Sequence, residues 1–207
     1  MSEKKKKIFI KTKYPLILAS SSNARKRILK KSGLVFKIIA SKIDEDYIKK
    51  KYNQKSYTFV SKKLAQEKAL AVSKKNFNNY VIGADQICVF KNKIIDKPLN
   101  KNNAINQLSM LSGHQHKQIN GCSICLNGKV IYSFNSIAKL IMRSITKKQI
   151  KTYVDHDNPV YSCGAYKFES KGYLLFSKVE GDQFSIQGLP IFTLFNFLLK
   201  RNIISYE

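Results

Sequence analysis

Apolar positions along this chain keep two rhythms. Short continuous runs, Leu16-Ile17-Leu18-Ala19 and Tyr80-Val81-Ile82-Gly83-Ala84, read as buried strands, since each is bounded by turn-forming or polar residues. Helical spacing follows the first of them: Ser20-Ser21-Ser22-Asn23 supplies turn and N-cap chemistry, Ala24 to Ser32 continues as a helix, and Gly33 closes it. Leu34 to Ala40 predicts a second strand, and a Lys- and Tyr-rich connection leads to a helix from Thr58 to Lys75. The strand from Tyr80 ends at Asp85, and Ile87 to Phe90 with Ile94-Ile95 form a hairpin turned at Lys91-Asn92-Lys93. Lys101 to Leu111 is helical, with Ala104, Leu108 and Leu111 on one stripe. Two long strands meet at Asn127-Gly128, and Thr146 with Gln149 makes a capping box for a helix reaching Val154. Strands over Tyr161 to Glu169 and Tyr173 to Val179 and a helix over Pro190 to Arg201 complete the chain.

Strands alternating with helices throughout predict an α/β domain with a central mixed sheet flanked by helices. Residues 16–207 form that single domain, behind a basic tail over residues 1–15. The tail's apolar run, Ile8-Phe9-Ile10, is too short for a signal-peptide core, and no run elsewhere approaches the roughly 20 residues of a membrane span. No membrane partner and a cytoplasmic location are therefore expected.

Composition changes this picture little. A net charge of +25 attracts polyanions and predicts a phosphorylated partner. Nearly all of that charge is Lys, however, with Arg only at positions 25, 27, 143 and 201, whereas readers of base edges and phosphate forks favour the guanidinium. Nucleic acid is thus expected as a non-specific partner at most. Cys88, Cys122, Cys125 and Cys163 lie in apolar stretches, as in a reducing compartment.

Open α/β sheets bind ligands beyond the carboxyl ends of their strands, which singles out two places. After the first strand, Ser20, Ser21, Ser22 and Asn23 lead into a helix N-terminus that suits a phosphate; an ordinary serine N-cap explains them equally well. After the second, Asp85 follows Gly83-Ala84 as a carboxylate that is costly to bury unless a cation, a metal or hydrogen bonds satisfy it; the alternative is a structural Asp capping a turn. Asp44-Glu45-Asp46 offers a second carboxylate for Mg²⁺, or simply a solvated acidic turn. On the helix over 58–75, Val60, Leu64, Ala71 and Val72 form the apolar stripe, and Lys68 falls in its middle. Lys68 either snorkels outward or points into a polar cleft. Lys97 stands extended before Pro98, a position suited to a phosphate contact. Cys122-x-x-Cys125 has no second pair and His114/His116 no third histidine, so both read as structural.

Taken in order, the segments LILASSSNARKRIL (16–29), LAQEKA (64–69), VIGADQICVFKNKIIDKP (81–98), LSGHQH (111–116), CGAYKFESKGYLLF (163–176) and VEGDQFSIQGLP (179–190) resemble the Maf family of nucleoside triphosphate pyrophosphatases over residues 16–200. The resemblance implies the inosine-triphosphatase-like fold with a cleft between two lobes, a homodimer, and dependence on a divalent metal cation, Mg²⁺ with Mn²⁺ or Co²⁺ as alternatives. It implies cleavage of nucleoside triphosphates to monophosphate and pyrophosphate. By the same resemblance Asp85 is the proton acceptor, Glu45 the second acidic residue, both of them metal ligands, and Lys68 and Lys97 the two catalytic lysines. Ser20, Ser22 and Arg25 would receive the phosphates, while Gln86 and Glu169 would lie near the base. Many members carry Pro and two Arg where this chain has Asn23-Ala24-Arg25, Thr in place of Gln86 and Gln in place of Glu169. These departures resemble the branch acting on 7-methyl-GTP. The competing expectations are a basic nucleic-acid-binding protein and a cell-division regulator without catalysis.

Overall fold

The computed structural model describes residues 9–207. Seven strands form one mixed sheet: β2 (Leu16–Leu18), β3 (Lys37–Ile38), β4 (Tyr80–Phe90), β5 (Lys93–Ile95), β6 (Gln115–Leu126), β7 (Lys129–Met142) and β8 (Phe176–Glu180). The spatial order is β3-β2-β4-β6-β7-β8, with β5 also pairing β4. The β3, β2 and β4 pairs are parallel and all others antiparallel. Asn127 and Gly128, both at positive φ, make the tight turn that joins the two longest strands.

Strand β4 corrects the expectation that a strand ends at Asp85. It runs unbroken from Tyr80 to Phe90, with β6 along one edge from Val81 to Val89. Its other edge is shared: β2 covers only Tyr80 to Ile82, and β5 only Cys88 to Phe90. Between those two partners the edge is left open over residues 83–87. Polar side chains there cost nothing in strand pairing because β6 still holds the backbone.

The sheet's core is divided at the same level. On one face Ile82, Ala84 and Ile124 pack with Ile28, Leu29, Leu194 and Leu198, whereas Cys88, Phe90 and Leu140 pack in a second cluster with Leu108, Val154 and Tyr166. On the other face Val81 and Ile17 pack with Ala69 and Val72, and Ile87 and Val89 pack separately with Val60 and Leu64. Four apolar clusters thus leave a polar belt across the middle of the sheet.

The helices are set by their caps. Ser22 caps α1 (Asn23–Lys31), Ser56 caps α3 (Tyr57–Ser73), and the capping box of Thr146 and Gln149 begins α5 (Lys147–Asp157). Between them lie α2 (Glu45–Lys51) and α4 (Lys101–Leu111), and α6 (Gln183–Ile186) and α7 (Ile191–Lys200) follow. The α3 backbone lies directly on the sheet: a Cβ placed at Gly83 would come 2.2 Å from Ala65 O, and one at Gly121 would come 2.2 Å from Ser61 O. Both positions therefore tolerate only glycine.

Other expectations are also corrected. The Lys- and Tyr-rich connection contains α2, overlooked because only Ile48 on it is buried. Leu34 to Ala40 reduces to the two-residue β3. Tyr161 to Glu169 is a chain of turns, and Tyr173 to Val179 begins with a 3-10 turn, Gly172–Leu175, before β8. Within the stretch read as a basic tail, β1 (Ile10–Thr12) pairs antiparallel with β9 (Ile204–Tyr206); residues 1–8 lie outside the described region. No helix among the described residues is long and apolar enough to cross a membrane.

Candidate active site

The open edge of β4 faces a cleft of about 750 Å³, lined from one side by the Ser20–Arg25 loop and helix start and from the other by the turns after α5. Alternation along β4 decides what each residue does there. Gly83, Asp85 and Ile87 face α3, and Ala84 and Gln86 face the opposite side.

Asp85 is 5 % exposed and Lys68, in the middle of α3, 6 %. The Lys68 ammonium lies 2.6 Å from Asp85 Oδ1 and 2.8 Å from Glu45 Oε1. Lys68 therefore points into the cleft and does not snorkel to the surface. It can be held so deep because glycines at 83 and 121 let α3 sit against the sheet, bringing the stem of Lys68 within reach of β4. A buried ion pair is retained only when both charges are closely matched, and this geometry matches them.

Glu45 opens α2, one residue after the N-cap Asp44, whose carboxylate accepts from Tyr47 N at 2.8 Å. The solvated-turn reading fits Asp44 and Asp46, but Glu45 turns inward. Burial alone would raise the Glu45 pKa; the nearby Lys68, Lys97 and Lys49 ammonium groups outweigh it and lower the carboxyl below its ordinary value. Lys49 was missed in the sequence, yet it stands at i+4 from Glu45 and would have followed from recognising α2. It contacts Asp96 at 2.7 Å; burial lowers its pKa, but Asp96, Asp85 and Asp46 raise it further. Lys97 lines the cleft, exposed, with no ion pair among the described residues.

On the other side of β4, Arg25 is buried with its Nε donating to Gly188 O at 2.8 Å and Nη1 to Ser20 Oγ at 3.3 Å. Ser22 Oγ accepts from Arg25 N at 3.4 Å as the N-cap, while Ser22 N donates to Ser20 Oγ at 3.2 Å. The serine loop is thus both a helix cap and part of the cleft wall. Gln86 Nε2 donates to Ser185 O and Ile186 O at 3.1 and 2.9 Å, which consumes its donors and leaves Oε1. Glu169 lines the opposite wall, paired with Arg27 of α1.

The turn that carries Glu169 is pinned from below. Ser170 Oγ and Lys171 N donate to the Asp157 carboxylate at 2.8 and 3.2 Å, Lys167 N donates to Tyr153 Oη at 2.9 Å, and Lys167 Nζ donates to Asp157 O at 2.6 Å. Sequence reasoning passed over Asp157 because nothing local distinguishes it from a surface acid on α5.

Glu45 and Asp85, carried by different elements, converge on one ammonium at 2.8 and 2.6 Å. Among the described residues no group of three or more His, Cys, Asp or Glu converges. The histidine and cysteine pairs are each split by their surroundings. His116 is buried, 3.0 Å from Tyr166 Oη, with burial lowering its pKa to about 4, whereas His114 is exposed. Cys122 and Cys125 belong to different core clusters, and burial raises their thiols to about 12 and 11.

Residues 15–201 match the family described as Maf-like protein. A protein of Legionella pneumophila (strain Lens) named nucleoside triphosphate pyrophosphatase is 36 % identical over 190 residues, 92 % of this chain and 95 % of the relative. A protein of the same name from Rhodopseudomonas palustris (strain BisB18) is 34 % identical over 194 residues, 93 % of this chain and 96 % of that one. Among solved structures, a HAM1 protein from Coxiella burnetii aligns with a TM-score of 0.38 at 11 % identity, covering 62 % of this chain and 73 % of its own.

Proposed function

The chain belongs to the Maf family, and from that premise we propose that it is a nucleoside triphosphate pyrophosphatase working through Asp85, Glu45 and Lys68. The observation that carries this reading is the Lys68 ammonium, buried in the cleft between two carboxylates from different elements. Buried charge of this kind is costly as architecture and useful as chemistry.

In the proposed reaction Asp85 orients a water and takes its proton. The water oxygen bonds to the α-phosphorus, the bond from that phosphorus to the α–β bridging oxygen breaks, and pyrophosphate leaves. Lys68 pairs with both carboxylates, and its charge helps hold the Glu45 carboxyl below its ordinary value. Lys97, exposed and without an ion pair among the described residues, and Arg25, aimed at the serine loop, hold phosphate oxygens and offset charge on the leaving group. Ser20 and Ser22 place the helix N-terminus at the same end. A divalent cation held by Glu45 and Asp85, Mg²⁺ or in its place Mn²⁺ or Co²⁺, supplies further neutralisation of the triphosphate.

At the base end Glu169 offers a carboxylate and Gln86 a single carbonyl oxygen, a wall of acceptors. Acceptors favour a base that presents N–H groups, and a base carrying positive charge above all, which supports 7-methyl-GTP over other triphosphates. The resemblance also carries the expectation of a cytoplasmic homodimer, which light scattering of the pure protein checks.

The test is incubation of the pure protein with Mg²⁺ and a panel of ordinary and methylated nucleoside triphosphates, with pyrophosphate and orthophosphate measured separately. Pyrophosphate release that collapses in Asp85→Asn is expected. Orthophosphate alone, no turnover on any nucleotide, or full activity in Asp85→Asn removes the reading.

A further inference from the structure

Glu169 and Arg27 stand on opposite walls of the cleft, 142 residues apart in sequence, and meet across it. The two partners are not equally free. Glu169 belongs to the turn fastened by Asp157 and Tyr153, and its side chain is 20 % exposed. Arg27 reaches from the solvent side of α1, its side chain 44 % exposed, and the ion pair with Glu169 is its only side-chain partner among the described residues apart from the cleft lining. The carboxylate is therefore the fixed member and the guanidinium the one that can swing away.

The location of the pair adds a second distinction. The other acids of the cleft, Glu45, Asp46, Asp85 and Asp96, all lie near Lys68 or Lys49. Glu169 is set apart from that cluster, and its charge is answered from the opposite wall. A guanidinium presents paired N–H donors to a carboxylate, and the Watson–Crick edge of a guanine presents the same pattern through N1–H and the 2-amino group. Adenine offers an acceptor at that edge and cannot replace it.

We infer that Arg27 is a specificity-determining residue that occupies Glu169 in the absence of nucleotide and yields it only to a base with an equivalent donor edge. The inference rests on the proposed base-end role of Glu169 and goes beyond it in assigning Arg27. A base with that edge exchanges one charge-assisted contact for another. A base without it leaves the bridge closed and gains no contact with Glu169, so the bridge sets a threshold that adenine-type bases do not cross.

The experiment compares wild type, Arg27→Ala and Glu169→Gln, using equilibrium binding of non-hydrolysable α,β-methylene GTP and ATP together with pyrophosphate release from GTP, 7-methyl-GTP and ATP. A bridge of this exposure competes weakly, so Arg27→Ala is expected to tighten the guanine analogue by about two- to five-fold and leave the adenine analogue unmoved. Glu169→Gln is expected to narrow the guanine-over-adenine ratio. Equal weakening of both analogues in Arg27→Ala would make Arg27 a phosphate holder and overturn the inference, as would an unchanged ratio. Wild type that releases no pyrophosphate from any nucleotide overturns the proposed function instead, and the two failures are told apart by the wild-type assay alone.

Discussion

Replacing Lys68 by Met removes the ammonium while keeping an unbranched apolar stem on α3, so the change isolates charge from packing. Two contacts are lost, and they differ in weight. The Asp85 contact is 2.6 Å between side chains each 8 % exposed; breaking one side of such a buried pair costs about 3–5 kcal/mol because the remaining charge is stranded. The Glu45 contact, 2.8 Å to a side chain 42 % exposed, is worth roughly 0.2–1 kcal/mol. Since the pair borders a cleft that water can enter, the lower end applies, and a loss of about 3 kcal/mol is expected at neutral pH. That corresponds to a fall of about 6–12 °C in the thermal midpoint for a domain of this size. The loss also has a pH signature. In the wild type the Glu45 carboxyl titrates below its ordinary value, so it contributes stability above that value and loses it as pH falls through the carboxylate range. Without Lys68 the largest influence left is burial, which acts in the opposite direction, so the gap between wild type and variant narrows on acidification. Urea denaturation followed by circular dichroism at pH 7.5 and pH 4 measures both quantities. A loss below about 1 kcal/mol, or one equally large at both pH values, would refute the claim that this lysine is held by ionised carboxylates.

Two further outcomes follow from the same framework. Gly83→Ala forces a methyl to within 2.2 Å of Ala65 O, so α3 must lift from the sheet; a stability loss of about 3 kcal/mol or more is expected in thermal unfolding, with reduced turnover in the fraction that remains folded. Asp157→Asn replaces an acceptor oxygen by an amide that faces Lys171 N–H, at a cost of about 1.5–3 kcal/mol. Burial raises the Asp157 pKa, but hydrogen bonds from Ser170, His156, Lys171 and Tyr153 together lower it; its contribution is therefore present above the ordinary Asp value and lost below it, and the variant's stability is expected to depend less on acid pH. An unaltered acid-unfolding profile would count against the anchor.

Lys68 was legible in the sequence because its polarity contradicted its place in an apolar stripe, and the Ser20–Arg25 segment because it joined a buried run to a helix. Asp85 was legible for a partly mistaken reason. The polar pair Asp85-Gln86 looks like a strand end to any reading based on hydrophobicity, whereas the strand continues because β6 supports it over residues 81–89. What the two residues share is a gap left by other strands, and a gap between neighbours leaves no mark on the strand that borders it. The turns over 161–169 were misread for a related reason: Ala165, Tyr166 and Phe168 supply apolar content that the core uses without strand pairing, and the turn's fastener, Asp157, lies on another element. The donors of Gln86 were invisible because they are spent on carbonyls almost a hundred residues away.

The pleat of β4 sends Asp85 to one side of the sheet and Gln86 to the other, so consecutive residues of one strand enter the same cleft from opposite faces. A change at Gln86, or at Arg27 and Glu169, therefore leaves the contact between Asp85 and Lys68 in place. The strand acts as a partition between two sets of contacts, and one residue step crosses it.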